Sequence, residues 1–287
     1  MRSISNPTDI GREIFLSCSD SVGIEPLRTN LLSVADMIGN SCSEYLSKAK
    51  NADLYLIPPC YSTNDALYLG VATKQNFKDV YSQQMVGANK PGRVIYDRLM
   101  SSAPGAKCPF CGFGHVKTLD HYLPKSTYPQ FSVFPSNLIP ACNDCNFSKR
   151  AGLPKTKGEQ SIHPYFDSSL ISEQWLFARL VHSTPVTVDY YVKAPAHWPE
   201  VNVDRVTKHL EVFDLRKRFA IEAADELANV RNILRRNFGV IGPAAVKAEL
   251  LAQASDRYTL HRNSWQTAFF QALANDDWYC GGGYLHS

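Results

Sequence analysis

The chain has 287 residues, 44% hydrophobic and 20% charged, the proportions of an ordinary globular protein that buries one or two cores without staples. Eight cysteines in this length are too sparse for a secreted disulfide scaffold, and a formal net charge of +3 does not by itself mark a nucleic-acid binder. The opening MRSISNPTDIGREIF lacks the apolar core of a signal peptide and no stretch reaches the length of a membrane span, so a reducing cytoplasm is the expected setting.

Residues 1–103 read as mainly helical. Leu31, Val34 and Ile38 share a helical face, Asn64–Ala66 has the character of a helix start, and Val94, Ile95, Leu99 and Met100 after Pro91 form a helix leading to Cys108. Residues 104–167 change character, rich in Pro, Gly, Asn and Cys, with only short apolar pieces such as Ser132–Phe134 and Leu138–Ile139. A metal-stapled unit fits that composition. In 168–200 the β-rich runs Trp175–Val181 and Val186–Val192 flank a Ser-Thr-Pro turn and predict a hairpin connector. From 201 to 287 helical spacing returns: Ala223, Leu227, Val230 and Leu234, stopped at Phe238-Gly239; then Val246, Leu250 and Ala254; then Trp265, Ala268, Phe269 and Ala272. Gly281–Gly283 with Tyr284 reads as a loose tail. The expected fold is α+β and mostly helical.

Cys108-Pro-Phe-Cys111 and Cys142-Asn-Asp-Cys145 stand thirty residues apart. Two C-x-x-C knuckles supply the four thiolates of a closed structural zinc site, with no position open for water or substrate. A redox C-x-x-C would sit alone at a helix start. Cys18, Cys42, Cys60 and Cys280 read as small buried apolar residues, and His115 as a loop residue outside a completed tetrahedron. From Lys107 to Lys157 there are seven basic residues and two acids, a local excess suited to a polyanionic substrate.

Between the knuckles lie Asp120-His121, Lys125 and Asn137, and directly after them Asn146, Lys149 and Arg150. Taken singly, these are turn residues, a surface imidazole and solvated cations. Their joint order is different: LDHYLPKS…PSNLIPACNDCNFSK resembles the HNH endonucleases. HPYFD at His163–Asp167 and NSW at Asn263–Trp265 are similar to flanking regions of bacterial HNH proteins, including the nuclease subunits of Septu-like antiphage systems. The resemblance implies a ββα-metal unit, flanked by helical regions, that hydrolyses DNA with one metal ion. His121 would be the general base, Asp120 and the Asn146 amide oxygen would hold Mg²⁺ or Mn²⁺, and Asn137 would brace the loop and the His121 backbone or ring. Asn146 stands where many members carry His, which favours a hard cation over a transition metal. Lys149, Arg150 and Lys125 would meet phosphate. Neighbouring residues of a strand face opposite ways, so Asp120 and His121 share a site only if the strand bends or ends there.

His163 reads as a packed histidine outside the catalytic set. The Arg231 and Arg235 face is as suited to an ordinary charged surface as to a phosphate backbone, and Trp265, Phe269 and Phe270 read as core. An endonuclease in antiphage defence, controlled by an ATPase or sensor from the same operon, is what the resemblance implies. The alternatives are a non-catalytic zinc-stapled nucleic-acid-binding module and an RNA-cleaving toxin.

Overall fold

The computed structural model describes residues 1–149, 152–237 and 242–285. The stop signal expected at Phe238-Gly239 and the phosphate contact expected of Arg150 lie outside the described residues. The architecture is α+β and mostly helical, as the periodicity predicts, and its sheets are three separate two-stranded antiparallel pairs. The four stretches read from the sequence fall into two compact units: residues 3–157 with 163–167, and residues 1–2, 158–162 and 168 onward.

The first unit begins with helices α1 (Gly11–Asp20), α2 (Leu27–Ser33) and α3 (Ala35–Lys50). Leu31, Val34 and Ile38 are buried as their spacing predicts, although the helix breaks at Val34. Gly11 starts α1 against Cys42 and Phe134, and a Cβ there would lie 2.5 Å from the Cys42 sulfur. The helix start expected at Asn64–Ala66 is instead a turn into β1 (Leu67–Leu69), which pairs with β2 (Ala72–Thr73). Helix α4 (Lys74–Asp79) begins later because Thr73 and Asn76 form a reciprocal capping box, each side chain accepting from the other's backbone N–H. It continues into a π-helical turn, Val80–Met85, and α5 (Gly92–Ser101) follows Pro91 as expected.

Strands β3 (Thr118–His121) and β4 (Leu138–Ala141) pair with Asp120 opposite Ile139 and His121 opposite Leu138. Helix α6 (Asn143–Ser148) follows at once. The connection from Tyr122 to Asn137 is mostly buried, which is unusual because a buried loop must satisfy its own polar backbone. Tyr45 of α3, fully buried, holds it by edge contacts to Phe131 and Phe134 at 5.1 and 5.3 Å. His163 is packed here, as its sequence context suggests: its ring meets Tyr45 Oη at 3.1 Å and lies 4.1 Å from the Tyr122 ring.

The second unit is built on β5 (Leu176–Val181) and β6 (Thr187–Val192), the expected hairpin. Around it lie α7 (Ser168–Ser172), α8 (Glu200–Val212), α9 (Leu215–Asn237), α10 (Pro243–Leu260), α11 (Trp265–Ala274) and α12 (Asp277–Cys280). Helix α11 packs on β5 and α9 on β6, so the hairpin belongs to the helical core and is not merely a connector. Trp265, Phe269 and Phe270 are buried. Asn263 is a staple: its side chain accepts from Trp175 N and Leu176 N and donates to the carbonyls of Ile171 and Glu173. The C-terminal tail is not loose as far as it is described, because Tyr284 is buried and Gly283 lies so close to the Trp278 ring that a Cβ would clash. No described helix is long and apolar enough to cross a membrane.

Candidate functional site

The two knuckles are built by local backbone geometry. In the first, Gly112 N donates to the Cys108 carbonyl and Cys108 N to the Gly114 carbonyl, both at 2.7 Å. Gly112 takes φ +83°, a left-handed turn open to glycine. Gly114 N donates to Cys111 Sγ at 3.3 Å, and a Cβ on Gly114 would stand 2.8 Å from Cys142 Sγ. In the second, Cys142 caps α6, its sulfur accepting from Cys145 N.

The four ligand atoms lie within 4.8 Å of one another, all buried, and Cys111 and Cys142 approach to 3.9 Å. Four sulfurs at the zinc–thiolate bond length stand about 3.8 Å apart, so this cluster could hold a structural metal such as zinc. Hydrogen bonding among the crowded sulfurs, from Cys108 above all, lowers Cys111 and Cys142, while Cys108 and Cys145 are raised. His115 lies outside the set, its ring nitrogen 3.2 Å from Lys107 Nζ. Cys18, Cys42 and Cys280 are buried, but Cys60 is only half-buried and its sulfur meets Ser62 Oγ at 2.9 Å.

Beside the cluster, Asp120, His121, Asn146, Lys149 and Lys125 line one cavity of about 1080 Å³. Strand β3 ends at His121 and the chain bends at Tyr122. Ending there relieves the alternation of the strand and lets two neighbouring residues reach the same space. The His121 ring, 9% exposed, donates from Nε2 to the Ser132 carbonyl at 2.8 Å, which leaves Nδ1 as its acceptor. The Tyr81 ring packs edge-on at 4.5 Å. Burial, with Lys125 adding repulsion, pushes the imidazole down to about 3, so the ring is neutral around pH 7.

Lys149 Nζ donates to Asp120 Oδ2 at 2.7 Å and to the His121 carbonyl at 2.9 Å. Both partners are largely removed from water, at 13% and 7% side-chain exposure. Burial raises the Asp120 carboxyl and lowers the Lys149 ammonium, and their mutual attraction opposes each shift. Lys149 therefore meets a carboxylate here, where the sequence suggested a phosphate contact.

Asn137 does not line the cavity. Fully buried, it accepts from Leu123 N at 2.7 Å and donates to the Leu123 and Phe131 carbonyls. It braces the loop, as expected, but through Leu123 and Phe131, while the His121 ring is anchored by Ser132. Sequence reading missed Ser132, Tyr81, Lys78 and Phe147. Ser132 acts through its backbone carbonyl, which no side-chain pattern reveals; Phe147 adjoins Asn146 in the motif and could have been noticed.

No protein-family model and no solved structure matches the chain. Over 292 aligned positions, 96% of this chain and 98% of the other, it is 28% identical to protein ea31 of Escherichia phage lambda.

Proposed function

We propose that the protein is a metal-dependent endonuclease of the HNH type, hydrolysing DNA phosphodiester bonds in the cavity beside a zinc-bound cysteine cluster. The observation that carries this reading is the convergence of Asp120, His121, Asn146 and Lys149 on one cavity, carried by the paired strands β3 and β4 and the short helix α6 that follows them. Asp120 and Asn146 offer hard oxygen donors suited to Mg²⁺ or Mn²⁺, which keep several water ligands and need few from the protein. Asp120 Oδ1 has no hydrogen bond among the described residues, so it is open to a cation. Such an ion, when bound, neutralises charge on the phosphate and on the leaving oxygen.

The residues of the chain account for the remaining steps. Nδ1 of His121 takes a proton from water as the water oxygen bonds to phosphorus. The bond from phosphorus to the 3′ oxygen breaks, that oxygen is protonated from solvent, and a 5′-phosphate and a 3′-hydroxyl result. A phosphate anion entering between Lys125 and His121 offsets the lysine's repulsion and raises the proton affinity of the ring.

Plasmid nicking with Mg²⁺ tests the reading. His121→Ala is expected to lower the rate by roughly 10²–10⁴-fold. Wild-type protein that leaves DNA intact, with candidate ATPase or sensor partners present, sinks it. The antiphage role and such partners rest on the resemblance of the motif alone.

A rival reading has its own observation: the Asp120 carboxylate already has a cationic partner in Lys149, and a non-catalytic nucleic-acid-binding module would need no metal there. Parallel digestion of DNA and RNA separates these readings and also identifies an RNA-cutting toxin.

A further inference from the structure

Tyr81 belongs to a turn that winds more widely than an α-helix. Val86 N donates to the Tyr81 carbonyl, five residues back, at 3.0 Å; such π turns are rare and often mark functional sites. The Tyr81 ring is buried and touches two residues that line the cavity, His121 and Lys125. It meets the imidazole at 4.5 Å and 71°, and the Lys125 ammonium lies over it, 4.4 Å from the ring centre. The other lysines of the lining are committed elsewhere: Lys149 donates to Asp120, and Lys78 to Asn64 Oδ1 and Gln75 Oε1 at 3.2 and 3.1 Å. Lys125 makes no hydrogen bond or ion pair among the described residues; Asp79 attracts it and Lys78 repels it. A cation–π contact draws on the charge and leaves the ammonium's three N–H donors to a ligand.

We infer that Tyr81 is a positioning residue, its ring holding the Lys125 ammonium beside His121 so that it meets the phosphate of a bound strand. The inference rests on the reading of this cavity as a phosphodiester site, and it names what aims Lys125. The backbone there is already fixed, because Thr127 N and Tyr128 N both donate to the Pro124 carbonyl, at 3.0 and 2.8 Å. The four-carbon stem is not fixed by its backbone, and a lysine head on such a stem gives up rotamer freedom when it binds. A buried ring that attracts ammonium removes that freedom before the ligand arrives, which strengthens binding by preorganisation. The same ring packs against the imidazole, so the cation and the base keep a set separation.

The salt dependence of binding separates this role from a structural one, since each phosphate contact adds about 0.9 to the slope of log K against log salt on duplex DNA. The full-length protein, without divalent ions, is titrated with a fluorescently labelled duplex at a series of KCl concentrations, with anisotropy as the readout. Lys125→Met should make the slope shallower by about 0.9. Tyr81→Leu alters no charge, yet it should make the slope shallower toward the Lys125→Met value. The double variant should lose no more than Lys125→Met alone. Tyr81→Phe keeps the ring and should bind as wild type does. The inference is overturned by an unchanged slope in folded Tyr81→Leu or in Lys125→Met, by additive losses in the double variant, by a Tyr81→Phe as weak as Tyr81→Leu, or by a wild type that binds no DNA. Should circular dichroism show Tyr81→Leu unfolded, wild type carrying ¹³C-lysine decides. The Lys125 ε-methylene signal, identified by its absence in Lys125→Met, should lie upfield under the ring current and move when duplex is added. A signal at the position of a solvated lysine overturns the inference. A protein that nicks no DNA but shows this salt pattern refutes the nuclease reading and keeps the positioning role; one that nicks DNA without the pattern does the reverse.

Discussion

Cys142 and Cys145 lie within a few residues of Asn146 and Lys149, yet the two ends of this short segment serve opposite arrangements. The sulfur cluster is closed. Its four side chains are 0–4% exposed, of like chemistry, and close enough to satisfy one ion among themselves. The cavity is open and mixed: a carboxylate, a neutral imidazole, an amide and ammonium groups lie around space that water can enter. Closed coordination holds a fold together, whereas open positions permit exchange with a ligand. A tight knuckle thus sits against an open cavity, so that an ion held by the four sulfurs would fix the position of side chains that line it.

That contrast breaks most visibly if the closed centre is emptied. Cys142→Ser should lose bound zinc and melt β3, β4 and α6, because metal affinity is folding free energy in such units, on the order of 10 kcal/mol in zinc-finger peptides. Metal content and thermal unfolding followed by circular dichroism check this. A variant that keeps its melting temperature without metal would show the knuckles to be dispensable.

The open centre should respond to cation exchange, with a smaller effect. Removing the ammonium with Lys149→Met leaves Asp120 buried and uncompensated, a change that costs about 3–5 kcal/mol. The variant should therefore unfold at lower denaturant concentration without divalent ions and bind Mn²⁺ at the cavity more tightly than wild type. Titration calorimetry with the cysteine cluster already zinc-loaded measures the second effect. Unchanged Mn²⁺ affinity would mean that Lys149 and a divalent ion do not compete for Asp120.

The smallest effect concerns protons. The His121 value of about 3 lies below the ordinary 6.5, so the folded state binds its proton more weakly than the unfolded chain. This contribution to stability is present above about pH 6.5 and is lost as pH falls from there toward 3, at a limiting slope of about 1.4 kcal/mol per pH unit. Acid also protonates the cysteines, so the measurement is the difference between wild type and His121→Gln in urea midpoints at pH 7 and pH 5. The glutamine variant should show the shallower dependence, and parallel curves would remove His121 as a source of acid lability.

Legibility in the sequence followed the range of the interactions. Helices α5, α9, α10 and α11 and the hairpin of β5 and β6 are where periodicity puts them, because a repeating apolar face is a local property. At Asn64–Ala66 a helix-like start lost to a turn and strand, since the effective cap lay downstream at Thr73 and Asn76. The tail after Gly281 looked loose because glycine runs usually are, but Gly283 is small for a packing reason, the Trp278 ring above it.

The four-cysteine cluster was determined by sequence alone, because two-residue spacing forces each pair of sulfurs together and like ligands need no further selection. The order Asp120-His121, Asn137, Asn146 was equally readable as a pattern. Only the tertiary structure decided that Ser132 takes Nε2 of His121, that Lys149 pairs with Asp120, and that Asn137 serves Leu123. Each joins residues eleven to twenty-nine positions apart, and such contacts depend on how Tyr45 and the buried loop pack before any local rule applies.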